Sequence, residues 1–170
     1  MDNIRDFQAD PLFIPDNFEI RNLQDEIRVN DLCDRLLKLF YLHQIEEEKL
    51  DAEHASSQAY GASYFLKDFV VDHYRENILL LNPYRVRQFA GNWYIVKNLE
   101  PNMVELQGIL EGVKAFYRYC AKVGLAETER FAGIEKECSE LDFFQDRIES
   151  FWSIEKDGYL PWEAVCSLKN

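Results

Sequence analysis

Seven glycines and five prolines in 170 residues leave few places where this chain is obliged to turn. That scarcity, with almost no stretch of alternating apolar and polar residues, excludes a strand-rich sandwich or barrel, which needs a turn signal every 8–12 residues or so. The four cysteines, Cys33, Cys120, Cys138 and Cys166, include no CxxC pair, the common zinc and dithiol signature. Three of them fall on apolar helical stripes and read as reduced core residues. The longest purely apolar run, Ile78 to Leu81, is far short of the roughly 20 residues a membrane helix needs. The first ten residues carry four charges and no apolar h-region, so no secretory signal is predicted. A cytoplasmic protein with no membrane partner is expected. Gly-x-Ser-x-Gly, the phosphate-binding P-loop and Gly-x-Gly-x-x-Gly are all missing, and no cofactor is expected.

The composition that remains, 47% hydrophobic with 14% aromatic and 29% charged, predicts a packed single domain over residues 1–170. The net charge of −12 is uneven: residues 1–59 and 126–170 are acidic by 8 and 6, whereas residues 60–125 are basic by 2. Such a field opposes nucleic acid over most of the surface, so no nucleic-acid partner is expected.

Apolar residues recur at three- and four-residue steps from Leu23 to Ile154, which predicts an all-α fold, a bundle of about five antiparallel helices. Residues 1–21, with Pro11 and Pro15, read as an extended arm laid over the core through Phe7, Leu12, Phe13, Ile14 and Phe18. Helices are predicted from Asn22 as N-cap to near residue 48 or beyond, over 62–81, 83–98, 103–123 and 128–154. The polar stretch 56–61 marks the first turn, and residues 156–170 form a tail in which Pro161 opens a last helical turn. Asn102 and Glu105 have capping-box spacing, and Gly124 suits a left-handed C-cap. Along the fourth helix Leu110, Val113, Phe116 and Tyr117 are the predicted centre of the core, and Gly108 and Gly112 predict a close helix approach.

Three groups of residues carry candidate chemistry. If the first helix runs past residue 55, His43, Glu47, Asp51 and His54 share one face, and His43, Glu47 and His54 become candidate metal ligands, completed by Asp72 or His73 from a neighbour. Asp51-Ala52-Glu53-His54 is an Asp-x-x-His rather than the Glu-x-x-His of helical di-metal sites, and it has no second copy. A basic and aromatic segment, residues 84–122, offers Arg85, Arg87, Tyr94, Lys97 and Arg118 as contacts to a partner, the arginines reaching phosphate or carboxylate bidentately. The alternative for Arg85 and Arg87 is pairing with the protein's own acidic flanks. Finally Trp93, Tyr94, Trp152, Tyr159 and Trp162 are of the types enriched at interfaces.

Residues 106–125, closing on Gly124-Leu125, resemble the end of the helical core-binding domain of tyrosine recombinases. The arginines and nucleophilic tyrosine of that family's catalytic domain have no counterpart in this chain. Together these features lead to a non-enzymatic helical interaction module that docks a protein partner or a second copy of itself. A metal-dependent helical enzyme on His43, Glu47 and His54 and a nucleic-acid-binding domain on residues 84–122 are the alternatives.

Overall fold

The computed structural model describes residues 10–169. Helix accounts for 74%, and no strand occurs among the described residues. In chain order the helices are α1 (Leu23–Glu46), α2 (Ala52–Ser63, prolonged by a π-helix over Tyr64–Val71), α3 (Tyr84–Gln88, a π-helix over Phe89–Trp93, then Tyr94–Lys97), α4 (Met103–Lys122), α5 (Thr128–Cys138), α6 (Leu141–Trp152) and α7 (Tyr159–Val165). The all-α expectation holds, with seven helices where periodicity counts five. The difference has local causes. Ser139 Oγ donates back to the Glu135 carbonyl at 2.8 Å and Glu140 leaves the helical region, which splits the predicted 128–154 helix in two. The tail then winds into α7.

The first turn also moves. α1 starts where its cap predicts, with the Asn22 side chain accepting from the Asp25 N–H at 2.9 Å. It stops at Glu46, because Lys49 adopts a left-handed φ of 60° and the Leu50 N–H closes onto the Gln44 carbonyl at 2.9 Å. Asp51 then caps α2 by accepting from the His54 N–H at 2.7 Å. The stretch 56–61 therefore lies inside α2, and the helical run ends at Val71, well before residue 81. Ile78–Leu80 follows as a 3-10 turn that buries Ile78 and Leu79. The described part of the N-terminal arm is not extended either. Pro11–Phe13 and Pro15–Phe18 are 3-10 turns that sink Leu12 and Phe18 into the core while leaving Ile14 exposed. Phe7 lies outside the described residues.

α4 is the centre of the packing and touches α1, α2, α5 and α6. Asn102 caps it, accepting from the Glu105 N–H at 2.9 Å, and Gly124 turns the chain beyond it with φ 79°. Leu110, Val113, Phe116 and Tyr117 are all buried, as their two apolar stripes predict. The close approach is made by Gly112 of α4 against Gln58 and Ala62 of α2, and by Gly61 of α2 against Ile109 and the Gly108 carbonyl of α4. A Cβ on Gly61 would stand 2.8 Å from the Ile109 Cα, and one on Gly112 would run into the Gln58 carbonyl oxygen and lie 3.1 Å from the Ala62 nitrogen. Gly108, predicted to share this duty, has nothing within 4 Å of such a Cβ.

A polar node ties the C-terminal residues to the rest of the fold. Buried Arg147 of α6 donates through Nε to the Gly91 carbonyl at 2.8 Å and stacks 3.9 Å above the Trp162 ring. Asn92 donates to the Cys166 carbonyl at 2.9 Å, Gln88 to that of Ser167 and Tyr74 to that of Leu168, both at 2.8 Å. The last described residues are thereby tied to α3 and to the turn that follows α2.

Candidate functional site

The turn at residues 47–51 takes apart the predicted metal face. His43 remains in the last turn of α1, its ring 5.0 Å from that of Tyr119 and its Nε2 3.4 Å from Glu48 Oε1. Glu47 is exposed at the C-cap of α1. His54 sits in the first turn of α2 with its Nδ1 3.1 Å from Asp51 Oδ2, so the Asp-x-x-His spacing is that of an N-cap and its first turn. Asp51 raises the His54 pKa through this hydrogen bond, and the His54 backbone N–H holds the Asp51 carboxyl below its usual range. Asp72 and His73 are exposed beyond the π-helix, where His73 stacks on Phe69. Among the described residues no group of three or more His, Cys, Asp or Glu side chains is arranged to hold a metal ion.

The basic and aromatic segment divides by burial. Arg85 forms a two-point pair with Glu76, including Nε to Oε2 at 3.1 Å, and lies 3.6 Å from the centre of the Tyr74 ring. Arg87 pairs with Glu137 at 2.9 Å beside the Phe143 ring. Tyr94 is fully buried, which corrects its place among the contact candidates. Its hydroxyl accepts from the Asn102 N–H at 3.2 Å and donates to Glu105 Oε1 at 2.8 Å, taking the role that a capping box gives to Glu105 itself. Lys97 is exposed at the end of α3, and Arg118 is exposed on α4.

Arg118 belongs to a cleft that sequence reasoning did not assemble. A cavity of about 150 Å³ opens between the end of α1, the start of α2 and the second half of α4. Lys114, Arg118 and Lys122 line its α4 side; His43, Gln44 and Glu48 line its α1 side. Positions 114, 118 and 122 drift by only about 40° per step, so they occupy one helical stripe. Lys122 is paired with Glu48, Lys114 with Glu111 at 3.2 Å, and Gln44 donates to Gln58 at 2.6 Å. The hydrogen bond from Lys122 holds the Glu48 carboxyl below its usual range, and burial pushes the Tyr119 phenol up to about 12.

A second surface lies at the C-terminal end. Ring contacts run from Trp152 to Phe151 (5.8 Å), Phe151 to Trp162 (5.0 Å) and Trp162 to Tyr159 (6.1 Å). Trp162 is buried at the base of this chain of rings, whereas Trp152 is 61% and Tyr159 43% exposed, with Leu160 next to Tyr159 at 71%. Asp146, Glu149, Glu155 and Asp157 are exposed along the same stretch, against a single exposed cation, Lys156, between residues 141 and 165. Of the aromatic residues singled out by type, Trp93, Tyr94 and Trp162 are core, and Trp152 and Tyr159 are exposed.

No family model, curated protein or solved structure matches this chain. No helix among the described residues is long and apolar enough to cross a membrane.

Proposed function

We propose that the protein is a non-enzymatic helical interaction module whose C-terminal surface, built on Trp152, Tyr159 and Leu160, receives a basic, apolar segment of a partner protein. The observation that carries this reading is the line of touching rings that ends in two exposed aromatic side chains on an acidic stretch of the chain. Rigid aromatic anchors set over a buried base are the usual centres of binding energy, and the surrounding carboxylates select a cationic partner over a second copy of this acidic chain. A cytoplasmic setting is part of the proposal, supported by four cysteines that are all free thiols. The metal-enzyme alternative draws no support from three residues held apart by a turn. The nucleic-acid alternative loses Arg85 and Arg87 to Glu76 and Glu137.

The test is selection of a displayed random-peptide library on the immobilised protein, followed by calorimetry with the enriched peptides. Enriched sequences are expected to combine Lys or Arg with apolar residues and to bind the Trp152→Ala, Leu160→Asp double variant at least about tenfold more weakly, a loss typical of one interface anchor. Both side chains are exposed, so circular dichroism of the variant should match wild type. Absence of enrichment, or equal binding to the variant, would overturn the reading.

A further inference from the structure

We propose that the cleft between α1, α2 and α4 binds a phosphate group, free or on a small ester, with Arg118 as its principal ligand between Lys114 and Lys122. Three observations carry this. The first is size: about 150 Å³ is the volume of a cavity that takes a single benzene-sized molecule, which suits one tetrahedral anion and not a polymer. The second is charge. Three cations face two carboxylates in the lining, a local excess of positive charge in a protein of net −12. The third is pairing. Lys122 and Lys114 are neutralised by Glu48 and Glu111, but Arg118 has no carboxylate within ion-pair distance among the described residues, and its guanidinium carbon lies 5.9 Å from the centre of the Phe131 ring.

A guanidinium presents its donors as a planar fork that matches two oxygens of a phosphate, and flanking ammonium groups add point charges on either side. α4 packs against α1, α2, α5 and α6, so the three cations are held at about 6 Å steps by a rigid rod. The remaining walls supply uncharged or weakly basic groups, Gln44, Gln58, His43 and Tyr119, all able to donate a hydrogen bond. A phosphate carries between one and two negative charges near neutral pH, so it answers the unpaired Arg118 and competes with Glu48 and Glu111 for the two lysines. The cleft is distinct from the C-terminal aromatic surface and the inference does not depend on that surface.

Isothermal calorimetry of the full chain with inorganic phosphate in low-salt buffer tests this, with glycerol phosphate as a second arm. Saturable binding is expected, weakened at least about tenfold in Arg118→Gln. Glu111→Gln should bind more tightly than wild type, because it removes an opposing charge and frees Lys114. Lys97→Gln and the Trp152→Ala, Leu160→Asp variant should bind as wild type does. Tighter binding of glycerol phosphate assigns the site to an ester and weaker binding to the free ion; either supports the proposal. No saturation with phosphate or its ester, or equal affinity in Arg118→Gln with an unchanged thermal midpoint, would overturn it.

Discussion

The α2–α4 crossing and the node around Arg147 both have buried residues at their centres, yet one is closed by what its residues lack and the other by the hydrogen bonds they make. At the crossing, Gly61 and Gly112 bring two backbones into contact, and no side chain lies between them. At the node, Arg147, Asn92, Gln88 and Tyr74 each donate to a main-chain carbonyl of another segment. Shape closes the first, and direction closes the second. The crossing should therefore fail when an atom is added, whereas the node should respond to a change of chemistry even when volume is kept.

The largest effect is expected at the crossing. Gly112→Ala should destabilise the protein by about 3 kcal/mol, since the new methyl meets backbone atoms that cannot rotate away. Gly108→Ala, one turn earlier on the same helix, should stabilise it by about 0.5–1 kcal/mol, because the space is open and alanine suits a helix better. Urea unfolding of the two variants checks the pair, and equal midpoints would remove the distinction between them.

A smaller effect is expected at the node. Arg147→Met keeps much of the volume but loses the bond to Gly91 and the stacking on Trp162, while it relieves a buried cation whose pKa burial pushes down. The opposing contributions should leave a cost of about 1 kcal/mol. A loss as large as that of Gly112→Ala would show that direction counts as much as shape in this fold.

The smallest effect belongs to an exposed cap that resembles the node in chemistry and differs from it in burial. His54, its pKa raised by Asp51, gains stability from this contact that is complete below its unfolded pKa and fades as pH rises through the folded value. Asp51, its pKa lowered, gains stability that is complete above its unfolded pKa and fades as pH falls through the folded value. The two windows overlap in mildly acidic solution. In an NMR titration the His54 ring of Asp51→Asn should titrate at lower pH than in wild type, with the global unfolding midpoint nearly unchanged because the pair is open to water.

What the sequence reveals and hides follows the range of the interaction. Asn22, Asn102 and Gly124 are legible because a cap is decided within three or four residues. The turn at Lys49 is not, because lysine carries no preference for positive φ, and the helical period of the sequence therefore runs on toward His54. The two π-helical stretches leave the apolar pattern almost intact, so they too go unseen. Gly112 announces a close approach, but the backbone it meets, that of Gln58 and Ala62, is chosen by the fold. The same holds for the cleft: the spacing of Lys114, Arg118 and Lys122 is readable, whereas the arrival of His43 and Glu48 opposite them depends on the turn that sequence reasoning misplaced.

The glycine crossing also has an evolutionary reading. Because each of the two positions faces backbone of the other helix, neither can enlarge alone without forcing α2 and α4 apart, and a matching change elsewhere on the surface cannot restore the distance. Positions 61 and 112 should thus behave as a linked pair under substitution, small together or altered together. In a diverged chain that has lost the charges of the cleft and the rings of the C-terminal surface, two small residues at this separation would be the trace of the same fold.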